Sequence, residues 1–256
     1  MILFKTKLLL KNYSKATPIT LLFLPSLVRC MCGNSYSIMA GSATVKPTAK
    51  HTASVIFLHG LGDTGHSWAA GLDSFKEPHI KYICPTAPTI PVTLNSGFQM
   101  PAWFDIVSLS FTGSEDSAGI INSSKLIQSI IEEEVKAGID RSRIIIGGFS
   151  QGGAVALYSA LSNPQPVGGV VCLSCWLPLH ASFPEASKGD NSFPILQCHG
   201  DRDPMVNYKF GQMTASVVSK MCTNHTFTTY PGLEHSSSAK EMLDVKNFIL
   251  KVLPPI

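Results

Sequence analysis

From residue 53 onward, short runs of apolar, mostly β-branched residues alternate with stretches of helical periodicity. This alternation limits the possible fold more than any other feature. Ser54–Leu58, Ile80–Cys84, Arg143–Phe149, Gly168–Ser174, Ile195–His199 and His225–Tyr230 have the length and composition of strands. Between Ser117 and Ala137, Ile120, Ile121, Ile127, Ile130, Ile131 and Val135 recur at helical spacing, and Gly138 supplies a stop. Further helices are expected at Gln151–Leu161, Tyr208–Met221 and Ala239–Val252. Strands with few charges, alternating with helices, imply an α/β class: a mostly parallel central sheet with helices on both faces. No internal repeat or linker divides this region, so residues 51–256 are expected to form a single domain behind an N-terminal extension, residues 1–50.

The extension differs from the rest in charge. No Asp or Glu precedes Asp63, whereas Lys5, Lys7, Lys11, Lys15, Arg29, Lys46 and Lys50 do. Residues 1–62 therefore carry +7 and residues 63–256 carry −4. A mildly acidic folded part argues against a nucleic-acid partner, which needs a basic face. The longest apolar run, Ile19–Val28, contains Pro25 and has half of the roughly 20 residues a membrane-spanning helix requires. A basic, acid-free leader is compatible with an organelle transit peptide, a weak signal-peptide core or an extension with no address. Met31 and Met39 leave a later start open. The seven cysteines form no spaced framework, and the expectation is reduced, mostly buried thiols. Cys172 and Cys175 make one C-x-x-C with no second pair to complete a zinc site, so core packing is the expected role.

In a parallel sheet, ligands bind beyond the carboxyl ends of the strands. After IIIGGF comes Gly148-Phe149-Ser150-Gln151-Gly152, a G-x-S-x-G at a strand-to-helix turn. Such a turn exposes the serine hydroxyl at a helix N-terminus, and the glycines remove side chains that would collide. A serine needs a base oriented by a carboxylate to act as a nucleophile. The order Ser, then acid, then His is available. One strand runs into Gly200-Asp201-Arg202-Asp203-Pro204, and the next into Pro231-Gly232-Leu233-Glu234-His235. His235 is the expected base. Of the two acids Asp203 is preferred, because Asp201 abuts the strand end and suits a turn. Glu234 is expected on the surface, and the other histidines in core or surface duty. An oxyanion needs two donors: the N–H of Gln151, and the N–H of Leu61 in the His59-Gly60-Leu61-Gly62 loop after the first strand.

These residues, with FLHGLGDTGHSW (57–68), KYICPTAP (81–88), PAWFD (101–105), GGFSQGGA (147–154), LSCWLPL (173–179), QCHGDRDP (197–204) and HSSS (235–238), resemble the acyl-protein thioesterase/lysophospholipase family. The similarity runs from about residue 51 to the C-terminus. It implies an α/β-hydrolase fold, a Ser150, Asp203 and His235 triad, and oxyanion donors at Leu61 and Gln151. It further implies removal of palmitoyl groups from S-acylated proteins, with lysophospholipids and small esters as secondary substrates. Asn207-Tyr208 and Leu233-Glu234 depart from the family's pattern beside the triad and bear on substrate range. Met31-Cys32-Gly33-Asn34 resembles the N-terminus of animal members, where the cysteine is lipidated. Cys32 is a lipidation candidate if translation starts at Met31.

Burying a palmitoyl chain requires an apolar groove, because each methylene contributes about 0.8 kcal/mol in the bilayer. Trp103, Phe104, Trp176, Leu177 and Leu179, in loops expected near the strand carboxyl ends, are candidates for its walls; ordinary loop packing is the rival role. No metal or organic cofactor is required. The resulting expectation is a cytoplasmic enzyme in transient contact with membrane surfaces. The alternatives are a soluble short-chain carboxylesterase and a non-catalytic binding module on the same fold.

Overall fold

A computed structural model describes residues 41–108, 110 and 113–256. Met31, Cys32 and most of the basic leader lie outside the described residues. Seven strands form the main sheet: β1 (Ala43–Val45), β2 (Ala53–Leu58), β3 (Ile80–Cys84), β6 (Ile144–Phe149), β7 (Gly169–Leu173), β8 (Ile195–Gly200) and β9 (His225–Tyr230). Their order is β1-β3-β2-β6-β7-β8-β9. Only β1, at one edge, runs antiparallel to its neighbour. A separate hairpin pairs β4 (Thr89–Val92) with β5 (Phe98–Pro101). The helices are α1 (Gly65–Asp73), α2 (Ser117–Lys136), α3 (Gln151–Leu161), α4 (Tyr208–Val218) and α5 (Ala239–Val252).

The two-residue period of each strand divides its side chains between two cores. Ile56, Leu58, Ile83, Ile144 and Ile146 pack with Ile120, Ile127, Ile130 and Ile131 of α2, Val155 of α3 and Val218 of α4. Val55, Phe57, Tyr82, Ile145 and Val171 face the other way, against Leu72 of α1 and Val245 and Ile249 of α5. Helices thus cover both faces, which is why the central strands carry so few charges.

Helix ends follow local chemistry. The carboxylate of Asp116 accepts the Gly119 N–H at 2.9 Å at the start of α2, and Gly138, at φ 96°, lies beyond its end. Asn207 caps α4 by accepting the Lys209 N–H at 3.0 Å. Ser238 caps α5, its hydroxyl accepting the Glu241 N–H at 3.1 Å.

Four features depart from the spacing-based expectation. β1 lies ahead of residue 51, so the sheet begins within the segment assigned to the extension. The short, glycine-bearing α1 and the Pro91-containing hairpin carry no strong period of their own. Helix α4 ends at Val218, three residues before the apolar pattern does. Among the described residues Cys84, Cys172, Cys175, Cys198 and Cys222 are all buried free thiols, and among those same residues no group of His, Cys, Asp and Glu side chains is placed to hold a metal ion. No described helix is long and apolar enough to cross a membrane.

Candidate active site

The sheet order reverses beside β2: the chain passes from β2 outward to β3, then returns to place β6 on the opposite side of β2. Such a switch opens a crevice beyond the carboxyl ends of the two strands. The His59–Gly62 loop leaves β2 there, and Ser150 follows β6.

Ser150 adopts φ 53° and ψ −121°, a conformation that side chains rarely take. Packing enforces it. A Cβ on Gly148 would lie 2.5 Å from the Gly152 carbonyl carbon, and one on Gly152 would lie 2.4 Å from the Leu58 oxygen. The backbone of the turn therefore packs directly on the end of β2, and no side chain fits at either position.

Ser150 Oγ lies 3.0 Å from His235 Nε2, and His235 Nδ1 lies 2.7 Å from Asp203 Oδ2. With the imidazole proton on Nδ1, that N–H donates to the carboxylate and Nε2 accepts the serine hydroxyl. The second oxygen of Asp203 accepts the N–H groups of Met205 and Val206, each at 2.9 Å. Burial alone would raise the Asp203 pKa. The hydrogen bond and charge of His235, with those two amides, outweigh it and hold the carboxyl below its ordinary value.

Asp201 has a different place. It is exposed, and its Oδ1 accepts the Gly232 N–H at 2.7 Å. The Arg202 N–H donates to the Leu233 carbonyl at 3.1 Å. Asp201 thus ties the acid loop to the histidine loop and does not reach the imidazole. Glu234 is exposed. Asn207 serves as the α4 cap, and the Tyr208 hydroxyl pairs with Thr229 Oγ1 at 2.5 Å.

Gly60 brings the loop after β2 close to the serine: a Cβ there would stand 3.2 Å from Phe149 Cδ1 and 3.4 Å from Ser150 Cβ. His59 holds this loop and was not singled out from the sequence. Fully buried, its Nδ1 N–H donates to the Gly60 carbonyl at 2.7 Å, and its Nε2 accepts the Ala87 N–H at 2.9 Å. Burial lowers its pKa, which favours the neutral ring both bonds need. Its side-chain pattern, a histidine directly after an apolar strand, looks like that of any core histidine. The Gln151 side chain was also missed: Oε1 accepts the Trp103 N–H at 2.9 Å and Nε2 donates to the Phe104 carbonyl at 2.7 Å.

A cleft of about 350 Å³ opens at Ser150 and His235. Its apolar walls include Leu61, Leu94, Met100, Ile106, Phe149, Trp176, Met205 and Val206. It meets a second hollow, which shares Ile106, Trp176, Met205 and Val206 and adds Phe104, Val107 and Phe210. Of the five wall candidates, Trp176 lines both hollows and Phe104 the second. The other three are displaced from this role. Trp103 is buried, its indole N–H donating to the His59 carbonyl at 2.8 Å. Leu177 is wholly buried, and its N–H donates to Thr214 Oγ1 at 2.9 Å. Leu179 packs partly buried against the core. The walls come instead from loop residues and from Met100 of the hairpin.

Residues 39–253 match the phospholipase/carboxylesterase family model. Acyl-protein thioesterase 1 of Neurospora crassa is 41% identical over 224 residues, 83% of this chain and 91% of that protein. Acyl-protein thioesterase 1 of Gibberella zeae is 39% identical over 219 residues, 81% of this chain and 93% of that one. The crystal structure of Zea mays acyl-protein thioesterase 2 superposes with a TM-score of 0.76 at 35% identity, covering 83% of this chain and 98% of that chain. The α/β-hydrolase fold, the serine placed at the switch point and these matches agree, and the chain belongs to the phospholipase/carboxylesterase family.

Proposed function

We propose that this protein cleaves long-chain acyl thioesters on S-acylated proteins, with Ser150 as nucleophile, His235 as base and Asp203 as its orienting acid. The observation that carries this reading is the apolar cleft that starts at Ser150 and continues past Trp176. Relatives named acyl-protein thioesterases support the thioester as substrate.

The reaction runs in two halves. His235 Nε2 takes the proton as Ser150 Oγ attacks the thioester carbon, and the oxyanion forms against the N–H groups of Leu61 and Gln151. As the C–S bond breaks, the proton passes from His235 to the leaving sulfur, giving a thiol and an acyl-serine. Water then gives its proton to His235 and attacks the acyl carbon. Ser150 takes that proton back, and the fatty acid leaves. Every proton is carried by His235, so the chain's own residues suffice for each step. Lysophospholipids and small esters fit the same sequence with oxygen as the leaving atom.

Leu94, Val107 and Met205 line the hollows and are also exposed, and Phe98 on the hairpin is exposed to 69%. This apolar rim supports transient contact with a membrane surface, from which the acyl chain is drawn. A single catalytic domain supplies all of these groups.

The test is chain-length dependence. Turnover of thioesters should rise as the acyl group lengthens from two carbons to eight or more. Turnover that falls along that series would favour the short-chain carboxylesterase reading.

A further inference from the structure

A second trough leaves the same catalytic centre in another direction. It shares Asp63, Phe149 and His235 with the acyl cleft but runs between α1 and the residues entering α5. It therefore opens over the sheet face that carries α1 and α5, away from Trp176 and Met205. Its volume is about 470 Å³. Trp68, Phe75, Phe149 and Met242 supply apolar wall, and Ser67, Ser236 and Ser237 supply hydroxyls. Asp63 is its only charged lining residue apart from the titratable His235, and its Oδ1 is held by the Thr64 N–H at 2.7 Å and the Ser67 hydroxyl at 2.6 Å.

The order of bond breaking assigns a use to this trough. In the tetrahedral intermediate the oxygen faces Leu61 and Gln151, and the acyl chain lies in the cleft beyond Trp176. The leaving sulfur must then face His235 Nε2, which returns its proton. Everything attached to that sulfur extends from His235, where the trough begins. We infer that the trough between α1 and α5 seats the peptide flanking the acylated cysteine. This rests on the thioesterase reading and adds a selectivity to it. The aromatic walls accept an aliphatic neighbour, and the fixed negative charge of Asp63 favours basic over acidic residues beside the cysteine. Basic flanks suit the substrate class, since one acyl chain binds membranes stably when paired with a polybasic patch.

Gly71 gives a clean probe. It lies in the trough on the exposed side of α1, and a Cβ there meets nothing within 4 Å. Gly71→Tyr is expected to fill the trough and lower kcat/KM for an S-octanoyl-cysteine peptide with lysine neighbours by about tenfold. Hydrolysis of p-nitrophenyl octanoate, whose leaving group is small, should stay within about twofold. An equal effect on both substrates, or on neither, overturns the inference. In the wild type, replacing the neighbouring lysines by glutamates should lower kcat/KM by about tenfold or more, and equal rates for both peptides overturn the charge preference. If no octanoyl thioester is cleaved while the nitrophenyl ester is, the thioesterase reading itself fails, a result separate from either.

Discussion

The Gln151 carboxamide oxygen accepts the backbone N–H of Trp103 at 2.9 Å, joining the residue after Ser150 to the loop that follows the hairpin. Its amide nitrogen donates to the Phe104 carbonyl in the same loop at 2.7 Å. Gln151→Leu leaves both backbone groups buried without a partner, at a cost of about 1–3 kcal/mol for each. The variant should unfold at lower denaturant concentration and lose about tenfold in kcat/KM as the start of α3 loosens beside Ser150. Wild-type stability would show that the bridge is not what holds the loop.

The two acids of the loop after β8 should separate sharply. Asp203→Asn removes the carboxylate that orients His235 and is expected to reduce kcat by about 10³-fold or more. Asp201→Asn weakens only the bond to the Gly232 amide, and a loss under about tenfold is expected. Comparable losses in the two variants would place the orienting role on Asp201 as well.

Two glycines predict opposite outcomes for the same substitution. In Gly152→Ala the new methyl group meets the Leu58 and His59 carbonyl oxygens at 2.4 and 2.5 Å, so the turn cannot keep its shape and activity should collapse. In Gly71→Ala the methyl group enters open space on a helix, and a gain of about 0.5–1 kcal/mol is expected. Thermal unfolding of both proteins checks the pair.

Stability should depend on pH through buried groups away from the serine. Burial lowers the pKa of His59, His199 and His225 below the ordinary 6.5. The unfolded chain therefore binds more protons, and their contribution is full above pH 6.5 and lost as pH falls toward the folded values. Glu241 acts in the opposite sense. Its two carboxylate oxygens are buried without partners, and burial, with Asp244 nearby, raises its pKa from 4.5 to about 7. Its ionisation costs stability above pH 7, and that cost disappears as pH falls to 4.5. Glu241→Gln should be more stable than the wild type at pH 8, by up to about 3 kcal/mol, with no advantage at pH 4.5. The same variant should lose stability from pH 7.5 to 5.5, where only the histidines titrate differently; Asp203, with its lowered value, changes nothing in that window. A flat profile in denaturant unfolding would contradict the assignment to the histidines.

The parts of the site that depend on local chemistry were legible in the sequence. G-x-S-x-G announces the strained serine because backbone collision forbids other residues there. Strand ends can be read from apolar runs, so Asp203, His235 and the Gly60–Leu61 loop could be placed at the carboxyl ends of the strands. The groove was harder. Trp176 and Leu177 are adjacent and both apolar, yet one lines the cleft and the other is fully buried in the core, with its backbone N–H on the Thr214 hydroxyl of α4. Leu94, Met100, Ile106 and Met205 carry no periodic signal, because irregular segments and a short hairpin deliver them. The bridging roles of His59 and Gln151 likewise depend on partners 28 and 48 residues away.

Covalent trapping during turnover tests the chemistry most directly. Rapid acid quenching of the protein with an S-palmitoyl-cysteine peptide, followed by peptide mass mapping, should find the palmitoyl group as an ester on Ser150. The adduct should be absent in Ser150→Ala, with hydrolysis reduced by about 10³-fold or more. A palmitoyl adduct on another residue, or undiminished thioester cleavage by Ser150→Ala, would contradict the assignment of the nucleophile and the mechanism built on it.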